Sequence, residues 1–311
     1  MSFFEPFPYL PNCLPPLDMK LKTIRTILNH PLNKDRKLAA LADFFKRGIA
    51  IRIHDHPMVY PFVENTFLVV EKGMSSAELQ IYTGLYDTSE MLFIMHYLRE
   101  EDTFVDVGAN IGAYTILASG VAGARSIAFE PIPATFSKLS RNVHYNSLSA
   151  KVELVNCGVG DKADTIRFSN SLDAINHVIY EDNFSGSTID VPVDSLDNML
   201  ANRGANILKI DVEGYEANVI NGATQVLENP ELKAILMETN GLTEQYEFGQ
   251  NYLHEKLLGL GFRPYLYLPE TRKLEPITGT TPENTIYVRD VNYVTKRIEA
   301  SRKIRLRQGL F

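Results

Sequence analysis

The stretch FVDVGANIGAYTILAS, residues 104–119, constrains the fold of this chain more than any other. An apolar strand runs into a turn holding Gly108 and Gly112, and a helix of apolar periodicity follows. A strand, a glycine turn and a helix in that order make the nucleotide-binding corner of a doubly wound α/β sheet. From Asp87 onward strand and helix alternate, as a parallel sheet covered on both faces requires. The spacing predicts helices over 88–99, 111–122, 133–146, 215–227 and 249–259, and strands at 103–107, 125–130, 151–156, 206–211 and 232–238. Between 163 and 193 two extended pieces, TIRFS (165–169) and STIDVPV (187–193), replace the expected helix, and Pro192 points to an edge or an end. FRPYLYL (262–268) and NTIYVRD (284–290) read as an antiparallel pair that closes the sheet.

The turn itself discriminates between ligands. A dinucleotide fingerprint places a second glycine against the pyrophosphate; here Ala109, Asn110 and Ile111 separate Gly108 from Gly112. Asp106, two residues before Gly108, would oppose a diphosphate but suits a ligand carrying an ammonium and a sulfonium. Glu130 ends the next strand, 22 residues after Gly108, where an acid accepts hydrogen bonds from both ribose hydroxyls. NAD shares that last feature, so Glu130 argues for adenosine without choosing its partner.

The rest of the chain narrows the class. With 311 residues, 45% of them hydrophobic, it can bury a real core, and a formal charge of -7 disfavours nucleic acid as a partner. The N-terminus lacks the basic-then-apolar pattern of a secretory signal, no run approaches a membrane span, and Cys13 and Cys157 are too few for a disulfide framework. The cytoplasm is the expected compartment. Five prolines within residues 1–18 read as an extended arm. Helical spacing follows from Leu21 to about Gly48, with Asn33 as N-cap, and then VYPFVE (59–64) and TFLVVEK (66–72) read as short strands. At the other end, VNYVTKRIEASRKIRLRQ reads as a basic helix with Val294 and Ile298 on one stripe. It is expected to dock on the acidic body or on a second subunit.

DVGANIGAYT, AFEP, VPVDSLDNML and LKIDVEGYEANVINGA occur in an order that resembles the FkbM family of S-adenosylmethionine-dependent methyltransferases, over about residues 80–290. The resemblance implies a class I methyltransferase (Rossmann-like) α/β fold, with a seven-stranded, mostly parallel sheet and helices on both faces. Around it the chain divides into an N-terminal helix and hairpin extension (1–80), a catalytic domain (81–291) and a basic C-terminal helical tail (292–311). It implies S-adenosylmethionine as cofactor and O-methylation of a hydroxyl on a sugar, glycoconjugate or secondary metabolite. Carried onto this sequence, Asp106, Gly108, Ala109, Asn110 and Gly112 serve the methionine end, Glu130 and Pro131 the ribose. The stretch VNCGVGD (155–161) lies near the adenine, with the contact open among Asn156, Cys157 and Asp161.

Methyl transfer is an in-line displacement in which the enzyme aligns an acceptor oxygen and removes its proton. Polar residues at the carboxyl ends of central strands come first. Lys209 and Asp211 are two apart and share one face of a strand, so the pair either orients a ligand or ties the sheet together. Asp211 and Glu238, ending neighbouring strands, form either a general base with a raised pKa or a hard-cation site completed by Asn240. Glu213 and Glu216 are substrate contacts or caps of the next helix. His177 and Asn176, in the segment replacing the third crossover helix, are candidates for proton removal and substrate binding. Tyr82, Tyr86 and Glu90 are placed to close the pocket or to pack the core. A non-catalytic S-adenosylmethionine-binding module and an NAD-linked oxidoreductase are the rival functions. Oligomeric state is left open, with a homo-oligomer one option.

Overall fold

The computed structural model describes residues 17–53, 56–71, 74–169, 178–179, 186–201, 203–239 and 251–311. The N-terminal part holds α1 (Leu17–Asn29), α2 (Lys37–Ile53), the hairpin β1 (Met58–Pro61) and β2 (Phe67–Val70), and α3 (Ser75–Thr83). Then come α4 (Thr88–Tyr97), β3 (Thr103–Val107), α5 (Ala113–Ile116), β4 (Arg125–Phe129), α6 (Pro133–Tyr145) and β5 (Val152–Val155). A side sheet follows, of β6 (Gly158–Gly160), β7 (Asp164–Ser169) and β8 (Thr188–Ser195). The chain continues through α7 (Leu196–Leu200), β9 (Ile207–Ile210), α8 (Glu216–Asn221), α9 (Thr224–Glu228) and β10 (Ala234–Glu238). It ends with α10 (Tyr252–Gly259), β11 (Arg263–Leu268), β12 (Lys273–Pro276), β13 (Asn284–Val288), α11 (Val291–Glu299) and the two-residue strands β14 (Arg305–Leu306) and β15 (Gly309–Leu310).

The main sheet has the order β12-β11-β13-β10-β9-β3-β4-β5. Its five strands from β5 to β10 are parallel and β11 to β13 pair antiparallel, which is the class I Rossmann-like arrangement. Among the described residues it has eight strands rather than the expected seven. The additional one, β12, folds back on β11 through a turn in which Arg272 takes φ +53°, and its residues are mostly exposed. A short, solvent-facing edge strand carries little apolar signal in sequence.

Both faces of the central strands are buried, and alternation divides them cleanly. Val105, Val107, Ile127, Phe129, Leu208, Ile210, Ile235 and Met237 join one apolar cluster, and Phe104, Ala128, Ile207, Ala234 and Leu236 join another. That second cluster is continuous with Ile27, Phe62, Leu68, Met74 and Leu85, so the N-terminal elements cover one sheet face. The outer edge of β2 is satisfied by side chains. Asn142 Oδ1 accepts from Val69 N at 2.7 Å and Asn146 Oδ1 from Phe67 N at 2.8 Å, which ties the hairpin to α6.

Several local expectations are corrected. The helical stretch from Leu21 to Gly48 is broken at His30-Pro31. Asn33 does not cap the second helix; it is buried and its Nδ2 donates to Ile27 O at 3.0 Å, closing α1 instead. The helix expected over 111–122 widens after Ile116 into a π turn over Leu117–Val121. The helix expected over 215–227 is two helices, because a Cβ at Gly222 would stand 2.0 Å from Gly160 O; the backbone bends there against β6. Pro192 lies in the middle strand of the side sheet, not at its edge, and is tolerated because β6 begins only opposite Val193.

The tail is helical only over α11. Beyond Glu299 the buried residues are Ile304 and Leu306, spaced as in a strand, and Arg302 grips Glu64 with two bonds of 2.7 and 2.8 Å. Arg297 pairs with Asp102 and donates to Tyr97 O at 2.7 Å. The basic tail thus docks on its own chain. Among the described residues no helix is long and apolar enough to cross a membrane.

Candidate active site

A cavity of about 530 Å³ opens at the carboxyl ends of β3, β4, β9 and β10, where an open α/β sheet receives ligands. Its floor is the glycine turn. Gly108 takes φ +77°, and a Cβ there would stand 1.8 Å from Asp211 O, so only glycine lets the turn lie against the end of β9. Gly108 N and Ala109 N both donate to Phe129 O, at 3.1 and 2.9 Å, which fixes the turn to β4. Gly112 (φ +88°) serves packing, because a Cβ would meet Leu139 Cδ1 at 2.5 Å, and it does not line the cavity.

Glu130 is held at both oxygens: Asn110 N donates to Oε2 and Ile132 N to Oε1, each at 3.0 Å. Burial pushes its carboxyl up to about 7. Each carboxylate oxygen keeps a second lone pair for a ligand hydroxyl. Pro131, Ile132, Thr135, Cys157 and Gly158 line the same end. Asn156 does not; its Nδ2 donates to Glu130 O and Pro131 O, at 2.8 and 3.0 Å, and shapes the wall from behind. Asp161 is exposed and lies outside the cavity lining.

Asp106 departs from expectation. It is fully buried and does not line the cavity. Its side chain points to the sheet face on which α5 packs, where Oδ2 accepts from Thr115 Oγ1 at 2.6 Å and Oδ1 stands 4.0 Å from Lys209 Nζ. Lys209, one strand over, does reach the cavity. Its ammonium is 2.9 Å from Asp211 Oδ2 and 4.8 Å from the centre of the Tyr114 ring, whose hydroxyl donates to Asp87 Oδ2 at 2.9 Å. Burial works against the Lys209 charge, but Asp211 and Asp106 outweigh it and hold the pKa above the ordinary lysine range.

At the far end Asp211, Glu213 and Glu238 converge, each offering an oxygen within 4.8 Å of the others. Burial, then the charges of Asp211, Glu213 and Glu216, push Glu238 up to about 9; burial and Asp211 push Glu213 up to about 7. Glu216 stays out of the cavity and braces the turn that precedes its helix, accepting from Val212 N at 3.3 Å and Gly214 N at 3.1 Å. His177, Asn176 and Asn240 fall outside the described residues.

Asp87, Tyr114 and Glu283 line the cavity without having been singled out in the sequence. Tyr114 had a signal, since it follows Gly112 on the first turn of the helix above the floor. Asp87 stands at the N-cap position of α4, next to the Tyr86 that the sequence placed at the pocket, whereas Glu283 sits in a loop of no regular spacing and had no signal. Leu79 and Gln80 of α3 and the exposed Tyr86 also line it, whereas Tyr82 packs edge-on against Phe44 with ring centres 5.0 Å apart. Glu90 is half-buried and lies outside the cavity lining, and partial burial, then the charge of Asp87, pushes its carboxyl up to about 7.

Comparison with known proteins adds a family profile. Residues 106–264 match the methyltransferase FkbM domain. "Methyltransferase 1" of Beauveria bassiana is 31% identical over 147 residues, covering 39% of this chain and 59% of the relative. The hexuronic acid methyltransferase AglP of Haloferax volcanii is 30% identical over 137 residues, covering 44% of this chain and 56% of the relative. The chain therefore spans less than two thirds of the length of either. The 31-O-demethyl-FK506 methyltransferase FkbM of Streptomyces tacrolimicus is 26% identical over 177 residues, at 46% and 67% coverage. Among solved structures, the precorrin-6y C5,15-methyltransferase of Geobacter metallireducens matches with a TM-score of 0.41 and 14% identity, covering 71% of this chain and 93% of that one.

Proposed function

This chain belongs to the FkbM methyltransferase family, and from that premise we propose that it moves a methyl group from S-adenosylmethionine to a hydroxyl oxygen of a saccharide, glycoconjugate or secondary metabolite. The names of two relatives, a hexuronic acid methyltransferase and a 31-O-demethyl-FK506 methyltransferase, support that acceptor chemistry. The observation that carries the reading is Glu130, pinned at both oxygens beside the Gly108 turn and facing a cavity whose other end is acidic.

The residues fit the cofactor. Glu130 retains lone pairs for two ribose hydroxyls, and the bare backbone of Gly108 and Ala109 admits close approach. The carboxylate-rich wall favours a cationic ligand, whereas a pyrophosphate would meet, among the described residues, six acidic side chains and a single cation, Lys209, already paired with Asp211. That charge balance disfavours the NAD-linked alternative. When bound, the cofactor supplies an electrophilic methyl on a sulfonium. Lys209 holds the Asp211 side chain beside that position, and Asp106 with Thr115 holds Lys209 in place. Glu238 is the group placed to take the proton from the acceptor hydroxyl: burial and like charges hold it at about 9 in the empty cavity, and the positive charge of a bound sulfonium would draw it down toward the working pH, where it is an effective base. Glu213 lies against the same oxygen cluster and orients the acceptor.

Formation of S-adenosylhomocysteine from S-adenosylmethionine and a panel of hydroxylated sugars tests the reading, with NAD as control. Product formed with at least one acceptor, and no NAD reduction, is the expected result. Tight cofactor binding with no turnover on any acceptor would favour a non-catalytic binding module.

A further inference from the structure

Resting on the methyltransferase reading, the charge of the cavity narrows what the acceptor is. Asp87, Glu130, Asp211, Glu213, Glu238 and Glu283 line it, and among the described residues Lys209 is the only lysine, arginine or histidine that does. That one cation is spent, 2.9 Å from Asp211 and 4.0 Å from Asp106, with 5% of its side chain exposed. Asp211, Glu213 and Glu238 crowd within 4.8 Å, and Asp87 and Glu283 line the same cavity beside Tyr86.

S-adenosylmethionine carries one net positive charge, and Glu130 is occupied with its ribose. The remaining carboxylates exceed what that charge offsets. We propose that the methyl acceptor is a hydroxyl compound bearing an ammonium group, of the amino-sugar type, and that acceptors bearing a carboxylate or phosphate are rejected. An ammonium set against Glu283 and Asp87 satisfies donors and charge together, while a carboxylate there meets like charge in a partly desolvated site. Consistent with this, burial and then like charge push Asp87 up to about 6 and Glu213 up to about 7, a state that a cationic ligand relieves.

The test uses the full-length protein saturated with S-adenosylhomocysteine, titrated with glucosamine, methyl glucoside and glucuronate. Glucosamine should bind at least about tenfold more tightly than glucuronate, with methyl glucoside between them, because one opposed charge contact at this depth is worth more than a factor of ten. Glu283→Gln should shrink the glucosamine-to-glucuronate ratio by about threefold or more while leaving S-adenosylhomocysteine affinity intact. Glucuronate binding as well as glucosamine, or no difference among the three sugars, overturns the proposal. Failure to bind S-adenosylhomocysteine is a separate result that brings down the methyltransferase reading as well.

Discussion

Lys209 and Asp106 are cross-strand neighbours in register between β9 and β3, with their charged atoms 4.0 Å apart and 5% and 0% of their side chains exposed. Neither charge is hydrated, so each depends on the other and on Asp211 and Thr115. Removing Asp106 leaves the buried Lys209 ammonium with Asp211 as its remaining partner and with part of its compensation gone. Asp106→Ala should therefore cost about 1–3 kcal/mol in urea unfolding. The double variant Asp106→Ala/Lys209→Met should recover much of that loss, because no charge is left stranded. A loss below about 1 kcal/mol for the single variant would mean that Asp106 is not a structural partner of Lys209.

The glycine turn gives a steric prediction. Gly108→Ala adds a methyl where Asp211 O already stands 1.8 Å away and asks an L-residue to hold φ +77°. The variant should lose at least about 2 kcal/mol of stability together with S-adenosylhomocysteine binding. Unchanged thermal unfolding would contradict the close contact between the turn and β9.

The acidic cavity predicts how stability depends on pH. Asp87, Glu130, Glu213 and Glu238 all have folded-state pKa values raised above their ordinary ones, to about 6, 7, 7 and 9, with burial as the leading cause. The fold prefers their protonated forms, so their contribution is complete below the unfolded values near 4 and is lost as pH rises through the folded values. The Tm of the ligand-free protein should fall between about pH 5 and about pH 9. Glu238→Gln, which keeps the shape and removes the charge, should flatten that fall and raise Tm at the alkaline end. A Tm that climbs over the same window would refute the assignment.

The convergence of Asp211, Glu213 and Glu238 has the spacing of a hard-cation site. Lys209, however, already presents an ammonium 2.9 Å from Asp211 and is locked there by Asp106. Protein dialysed against EDTA should keep its S-adenosylhomocysteine affinity and its turnover within about twofold. Loss of activity restored by magnesium would show that a divalent cation displaces Lys209 from Asp211.

The strands and the glycine turn were legible because their physics is local. A strand buried on both faces must be apolar throughout, as ILKI and AILME nearly are, and a turn pressed against Asp211 O admits only glycine. What was not legible depends on chain segments meeting from afar. Asp87 starts α4 beside the Tyr86 that the sequence did place at the pocket, but Glu283 lies about two hundred residues away just before β13, and nothing in its sequence neighbourhood announces a shared cavity. Asp106 looked like a ligand contact because it sits at a strand end. Only the sheet register, which sets it opposite Lys209 on the face covered by α5, turns it into a support for another side chain. The tail misled for a related reason: its helical stripe continues on paper, while Glu64 and the sites that receive Ile304 and Leu306 pull the chain out of the helix.

The central claim is that Glu130 and the Gly108 turn hold the adenosyl cofactor. Calorimetric titration of wild-type protein and Glu130→Ala with S-adenosylhomocysteine tests it most directly. The account predicts binding by the wild type and a loss of about tenfold to a hundredfold in the variant, which forfeits two ribose hydrogen bonds to a charged acceptor. Equal affinity in the two proteins, with the variant folded, would contradict it.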